Sequence, residues 1–229
     1  MPTLNPAAPN RLLAALPEPD YKRLAPHLKP VALPQKEVLY DTDQPIQFVY
    51  FPSAGMVSLV HILEEGNNVE VGIIGSEGLL GLPVVLSGKT SPARAIVQVP
   101  GEALRLPAEM LAEEFSRGGA LHDLLLSYTL AFLNQVSQTA ACNRAYVLEV
   151  RLARWLLLVQ DRAQSEELPL TQEFIADMLG SPRAMVTIAA GALQKAGVIS
   201  YRRGRITVLD RAALEAAACE CYEALKQRA

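Results

Sequence analysis

Three arginines fall within four residues, Arg202, Arg203 and Arg205 around Gly204, and a fourth, Arg183, stands upstream between the hydroxyls of Ser181 and Thr187. A guanidinium is permanently charged and presents a planar fork of donors, so a cluster of them neutralises phosphates and a single one reads a base edge through two bonds. Gln172 adds an amide, Thr171 a further hydroxyl, and Ala184 and Ile188 carry methyl groups that suit a thymine methyl. Together these residue types offer recognition of a polyanion that carries base edges.

Such side chains need a scaffold, and the surrounding sequence supplies local signals for one. Thr171 is a good N-cap, Glu173 lies in the first turn where the helix dipole favours an anion, and Ile175, Ala176, Met178 and Leu179 form an apolar stripe that Gly180 ends. Ser181 as N-cap and Pro182 at the first helical position then start a second helix, with Val186, Ala189, Ala190 and Leu193 inward and Gly197 as its stop. VISYRR, Gly204 and RITVL read as two strands around a short turn. The order from Leu170 to Asp210 is therefore a winged helix-turn-helix, whose second helix presents its N-terminal turn to a major groove while the wing grips flanking backbone. The alternative is a small helical hairpin with a solvated basic loop. Caps, apolar phase and basic hairpin all agree on the winged reading.

Net charge is −3 over 229 residues, an unpromising figure for a nucleic-acid binder until it is divided. Residues 1–150 carry 10 Lys and Arg against 15 Asp and Glu, whereas 151–229 carry 11 against 9, and within 171–211 the balance is six against three. Acid is concentrated away from the arginines.

LTQEFIADMLGSPRAMVTIAAGALQKAGVI followed by RRGRITVLD resembles the DNA-binding end of the Crp/Fnr transcription regulators. VLYDTDQPIQFVYFPSAGMVSLV, EVGIIGSEGLLGLP and PARAIVQVPGEALRLP are similar to the sensor β-roll of that family. The resemblance implies an α+β chain with an N-terminal double-stranded β-helix, that is, a jelly-roll-like β-roll, over 1–119, a long dimerisation helix over 120–144, and a winged helix-turn-helix over 145–229. It implies a homodimer on double-stranded DNA, RNA polymerase as a further partner, and a small-molecule effector. In the recognition helix the family often shows Arg and Glu at the first exposed positions and a second Arg one turn on. This sequence keeps Arg183 alone, with Ala184 and Ile188 at the other two positions.

The rest of the chain agrees with that division. Residues 1–30 are punctuated by prolines from Pro2 to Pro30, with helical pieces NRLLAAL and DYKRLAPHL between them. From Val31 to Pro107 come short β-rich runs, QFVYF, MVSLVHIL, NVEVGII, RAIVQV and EALRL, with a hairpin turn expected at 65–68. A long helix follows from Leu121 to about Ala141 with two apolar stripes, and the interface between copies is expected at Leu121, Leu125, Tyr128 and Phe132. AYVLEVRLARWLLLVQDR links sensor to DNA-binding domain with Trp155 as a core anchor, SEELP is a polar connection, and DRAALEAAACECYEALKQR is a final helix.

The effector position is where the family pattern fails. In cyclic-nucleotide sensors of the family a Gly-Glu pair holds the ribose and an Arg followed by a small hydroxyl residue holds the phosphate. Here Gly78 is followed by Leu79, and Ala93-Arg94 stand at the second place. Gly78, Leu79, Arg94, Ala95 and Tyr128 are the candidate pocket residues, and the expected effector is not a cyclic nucleotide.

An enzyme is the rival class, because the β-roll resembles metal-dependent cupins. His27, His61 and His122 lie in different elements, and no nucleophile elbow, phosphate loop or HExxH occurs, so no catalysis is expected. A β-roll regulatory module without DNA binding is the other alternative. Cys142, Cys219 and Cys221 are too few for a four-thiolate iron–sulfur cluster, which the sequence is not expected to carry. On one continuous helix Cys219 and Cys221 point about 200° apart, so no metal site is expected unless that helix is broken. No signal-peptide pattern opens the sequence and LLLSYTLAFL is about half a membrane span, which gives a cytoplasmic expectation without membrane contact.

Overall fold

Strand β3, Phe48–Ile62, sets the architecture of the N-terminal part because both of its faces are buried. Phe48 and Tyr50 pack into one apolar cluster, while Val49 and Phe51 pack into another beneath the helices. Strand side chains alternate faces, so QFVYF reads as continuous hydrophobicity only because it is covered on both sides.

The structure, a computed structural model, describes residues 8–63, 68–163 and 165–226. Of the turn expected at 65–68, residues 65–67 lie outside the described residues, as do Pro2 and Pro6. The chain divides into two compact units, one running through Leu59 and resuming at Ile73–Leu133, the other comprising Val60–Gly72 and the chain from Asn134 onward.

In the first unit, α1 (Arg11–Ala14) is capped by the buried Asn10, whose side-chain oxygen accepts from Leu12 and Leu13 and whose amide donates to the carbonyls of Pro52 and Gly78. Helix α2 (Glu18–Leu24) follows Pro17. The sheet comprises β1 (Lys29–Leu33), β2 (Val38–Tyr40), β3, β4 (Asn68–Ile74) and β5 (Arg94–Pro107), ordered β1-β5-β3-β4 with β2 also on β5. Two pairs of runs expected as separate strands are single long ones: QFVYF continues into MVSLVHIL as β3, and RAIVQV into EALRL as β5. Glycines let both strands bend without ending. Gly55 has φ +81°, and a Cβ on Gly101 would stand 2.1 Å from the Ala54 carbonyl oxygen, so the two bends nest directly against each other.

Helix α3 (Ala108–Ser116) leads to α4 (Ala120–Ala145), 26 residues long. Here the expected interface is corrected. Leu121 and Leu125 are fully buried against the roll, and Tyr128 and Phe132 pack on the same chain's two apolar clusters. The outward stripe is Leu126, Leu130 and Leu133, at 43%, 60% and 58% exposure. The sequence carries two stripes at helical spacing, and only the roll decides which is covered.

In the second unit α5 (Leu148–Ala163) runs through the middle, with every residue from Leu152 to Val159 buried. Trp155 is a core anchor as expected, its Nε1 donating to Glu70 at 2.8 Å. SEELP is more than a connection, since β6 (Glu167–Leu168) pairs with the wing strand β8 (Arg205–Val208), which pairs in turn with β7 (Ile199–Arg202). Between them lie α6 (Gln172–Leu179) and α7 (Arg183–Lys195).

The expected final helix is broken in two, α8 (Arg211–Ala217) and α9 (Cys221–Lys226), with Ala218 extended between them. No Gly or Pro marks the break. Tyr222 turns inward to donate to Asp161 at 2.9 Å and accept from Arg211 at 2.6 Å, and this docking outweighs helical continuity. The expectation that Cys219 and Cys221 point apart therefore fails, and both thiols turn to Cys142.

Gly101→Ala should destabilise the protein by about 1–3 kcal/mol, because a strand backbone must move to admit one methyl group. Gly191→Ala, on α7 with nothing within 4 Å of the added carbon, should instead gain about 0.5–1 kcal/mol. Urea midpoints at constant slope measure both; an unchanged midpoint for the first would show that the two bends are not locked together.

Candidate nucleic-acid interface

Helix α6 begins where Thr171 accepts a hydrogen bond from the Phe174 N–H at 3.2 Å, so Thr171 works as the cap rather than as a free contact group. It ends at Gly180 in the left-handed region, φ +55°, which allows the chain to reverse into α7 within three residues. Ser181 does not cap α7. The helix starts one residue later than expected, with Pro182 at the cap position and no side-chain hydrogen bond there. Its first N–H groups, at Arg183 and Ala184, face outward with the positive end of the helix dipole, an arrangement suited to a phosphate.

The phase of α7 separates two functions cleanly. Val186, Ala189, Ala190 and Leu193 are buried, and Arg183, Ala184, Thr187 and Ile188 are exposed on the other side. Met185, absent from the residues singled out in the sequence, is 48% exposed beside them, and Ile188 is 65% exposed. Both are apolar groups turned to solvent on a surface helix, the arrangement expected of side chains that await a partner.

Two predicted contact residues are joined to each other. Thr187 donates to Gln172 Oε1 at 2.9 Å across the turn, and its hydroxyl also lies 3.1 Å from the Arg183 carbonyl. Gln172 is thus held with its amide nitrogen unencumbered. A second tie is Tyr201 on β7, whose N–H donates to Gln194 Oε1 at 2.8 Å and whose phenol feels the charge of Arg183. Burial raises the Tyr201 phenol from its ordinary value, and Arg183 partly offsets that. Neither Gln194 nor Tyr201 was marked by the sequence, since each acts through tertiary contact.

At the wing tip Arg202 and Arg205 stand opposite each other, and the two-residue turn Arg203-Gly204 has φ +50° and +75°, the signs of a tight hairpin whose twist matches its strands. Arg205 is ion-paired with Glu167 of β6, both groups being largely exposed. Among the described residues, Arg202 and Arg203 have no such partner, so their guanidiniums are the freer of the three. Arg151 supports the assembly from beneath: it donates to Asn143 at 3.0 Å and also to the Leu179 carbonyl, placing a cation at the C-terminal end of α6.

The candidate effector residues do not converge. Leu79 is fully buried in the cluster beneath the helices, where Tyr128 donates to its carbonyl at 3.2 Å, whereas Ala95 belongs to the other cluster. Tyr128 also covers Gly78, since a Cβ there would lie 2.5 Å from its hydroxyl oxygen. Arg94 is held by Asp41 through two bonds of 2.9 Å, and this guanidinium keeps the Asp41 carboxyl below the usual carboxylate range. A cavity of about 360 Å3 opens elsewhere in this unit, between Val84, Val85, Ala112, Phe115 and His122.

Comparison with known proteins places both parts of the chain. Residues 30–117 match the model of the cyclic nucleotide-binding domain and 150–217 that of the Crp-like helix-turn-helix domain. The chain is 25% identical over 217 residues to a global nitrogen regulator of Synechocystis sp., covering 90% of this chain and 95% of that one. It is 27% identical over 204 residues to the transcriptional regulator LdrP of Thermus thermophilus, covering 83% and 97%. Among solved structures, a putative Crp/Fnr transcriptional regulator from Eubacterium rectale superposes with a TM-score of 0.74 at 18% identity, covering 91% of this chain and 98% of that one.

Proposed function

We propose, starting from the family to which this chain belongs, the Crp/Fnr DNA-binding transcription regulators, that it acts as a homodimer reading two half-sites in double-stranded DNA. Its relatives are regulators and not enzymes. The observation that carries the reading is the pairing of an outward helix face, Arg183, Ala184, Thr187 and Ile188, with a basic wing on the same unit. Arg183 reads a base, Gln172, Thr187 and the exposed methyls refine the choice, and Arg202, Arg203 and Arg205 hold phosphates. Thr171 positions the backbone of the turn as the cap of α6, and Ser181 in the turn is a further DNA contact.

The two copies pair along α4. Leu126, Leu130 and Leu133 follow at helical spacing and form an exposed apolar stripe, which a second copy would bury across a two-fold axis. Residues 1–119 serve as the sensor, 120–144 as the pairing helix and 145–229 as the DNA-binding domain. RNA polymerase is the further partner of a bound dimer. A regulator that meets DNA acts in the cytoplasm; no helix among the described residues is long and apolar enough to cross a membrane.

The sensor answers to a small molecule other than a cyclic nucleotide. A buried cyclic phosphate and ribose each need a matched polar partner to offset their desolvation. Leu79 offers none, Arg94 is already committed to Asp41, and Tyr128 occupies the space beside Gly78.

Three outcomes follow. On a duplex selected from random sequence, Arg183→Ala should cost about 1–3 kcal/mol of preference at one base pair per half-site, whereas neutralising Arg202 or Arg203 should weaken all sequences alike and lower the salt slope by about one unit. Equal loss on selected and random duplex would remove the base-reading role from Arg183. Leu130→Glu should yield folded monomers in sedimentation and lose binding to paired half-sites; a persisting dimer would move the interface off α4. Calorimetry with cyclic AMP or cyclic GMP should show no binding up to about 100 μM, that is, less than about 5.5 kcal/mol of affinity. Micromolar binding that also tightened the grip on DNA would overturn the assignment of the roll.

A further inference from the structure

Three thiols meet in the second unit, outside the nucleic-acid interface. Cys142 on α4 is completely buried, and Cys219 and Cys221, which flank the break between α8 and α9, are 6% and 2% exposed. Their sulfurs all lie within 4.8 Å of one another, with Cys142 and Cys219 at 3.3 Å. Tetrahedral arms of about 2.3 Å set sulfur pairs about 3.8 Å apart, and a planar three-sulfur site sets them about 4 Å apart, so small side-chain rotations would close the trio around one ion.

What surrounds the sulfurs selects the ion. Among the described residues no His, Asp or Glu joins the group, and burial leaves little room for a water ligand. The near neighbours are Gln138, whose amide donates to Cys221 at 2.8 Å, and the partly buried Tyr146 and Val150. Zinc prefers four ligands, whereas soft thiolates without a fourth donor suit a cation content with three.

A second observation points independently to a missing anion. Arg154 on α5 is 3% exposed, yet its Nε and Nη1 have no hydrogen-bond partner among the described residues. Its Nη2 reaches only Thr139, at 3.5 Å, and Thr139 lies one helical turn before Cys142 on α4. Arg151, one turn before Arg154 on α5, feels the charges of both Cys142 and Arg154. A guanidinium buried without a counter-ion is costly, so Arg154 calls for negative charge nearby, and Arg151, half-buried and hydrogen-bonded to Asn143 and the Leu179 carbonyl, adds a second cation on the same helix.

We propose that Cys142, Cys219 and Cys221 form a three-thiolate site for a soft d10 cation, Cu(I) in preference to Zn(II), with Arg151 and Arg154 offsetting the negative charge of the loaded site. On binding, three S–H protons pass to solvent and three metal–sulfur bonds form; the ion arrives and stays as Cu(I), so no electrons are exchanged. Three thiolates and one monovalent cation leave two negative charges, matched by the two guanidiniums. The site fastens α4 to the connection between α8 and α9.

The full-length protein, reduced with a phosphine and handled without oxygen, should be titrated with Cu(I) against a colorimetric chelator and separately with Zn(II). One Cu(I) per chain should bind, with thiolate-to-metal absorption in the ultraviolet, and X-ray absorption should report three sulfur neighbours and no nitrogen. Cys142→Ser, Cys219→Ser and Cys221→Ser should each abolish tight binding. Arg154→Met, which keeps the buried stem and all three thiols, should weaken it by about 10-fold or more. Absence of Cu(I) binding, binding that survives all three serine variants, tighter Zn(II) than Cu(I), or an unaltered affinity in Arg154→Met would each overturn the proposal. Should a serine variant fail to fold, the coordination count on the unaltered protein still decides.

Discussion

Burial of α5 is the constraint on which the second unit depends. Eight consecutive residues, Leu152 to Val159, are removed from water, so the helix is covered on all sides rather than along one stripe. Each large apolar side chain among them contributes about 1.5–3 kcal/mol. Helices α6, α7, α8 and α9 all pack on this one element. The recognition helix is therefore aimed by an apolar contact far from its exposed face, and the polar ties act on top of it: Arg151 at the end of α6, Arg211 and Tyr222 on Asp161, and Trp155 on Glu70. Arg154 breaks the apolar run and is its one unsatisfied charge among the described residues, a cost that a folded chain keeps only where another group offsets it.

In the first unit the same economy of burial closes the positions where a ligand was expected. Because β3 is covered on both faces, the residues just after β4 are also divided between two clusters, with Leu79 going under the helices and Leu80 into the roll. A residue in the first cluster cannot serve a ligand in the second. Arg94 is likewise committed within the chain: a guanidinium at a strand end gains two charge-assisted bonds by meeting the Asp41 carboxylate. These commitments are what support the proposal of an effector other than a cyclic nucleotide.

Features fixed within a few residues were legible in the sequence. Gly180, Gly197 and Gly204 each occupy positive φ where a helix stops or a hairpin turns, and the inner stripe of α7 followed from spacing alone. What escaped was decided at a distance. The bends at Gly55 and Gly101 show as continuous strands only when the two are laid side by side. The two stripes of α4 are equally apolar in sequence, so the roll and not the spacing chose Leu121 and Leu125 as the inner one. The break at Ala218 carries no local stop signal, because the force behind it is the docking of Tyr222 on α5. That one break also brings the cysteines together, which a continuous helix would prevent.

The interface itself divides its work unevenly, and the division bears on what it can read. On the proposed reading, phosphate contacts at the wing would carry affinity without sequence information, and one of the three arginines there spends part of its charge on Glu167. Base reading would then fall to a sparse set. Gln172 already accepts a hydrogen bond from Thr187, so its amide is oriented with the nitrogen outward and serves best as a donor. A glutamine free to rotate can pair with adenine by accepting and donating at once; one held in this way is biased toward groove acceptors, as Arg183 is toward those of guanine. Met185 and Ile188 add apolar contact, which favours a thymine methyl and penalises exposed polar edges. On the proposed reading, an acceptor-rich edge beside a methyl group is the pattern this surface would favour, and the acidic N-terminal part of the chain would add nothing to the attraction for DNA.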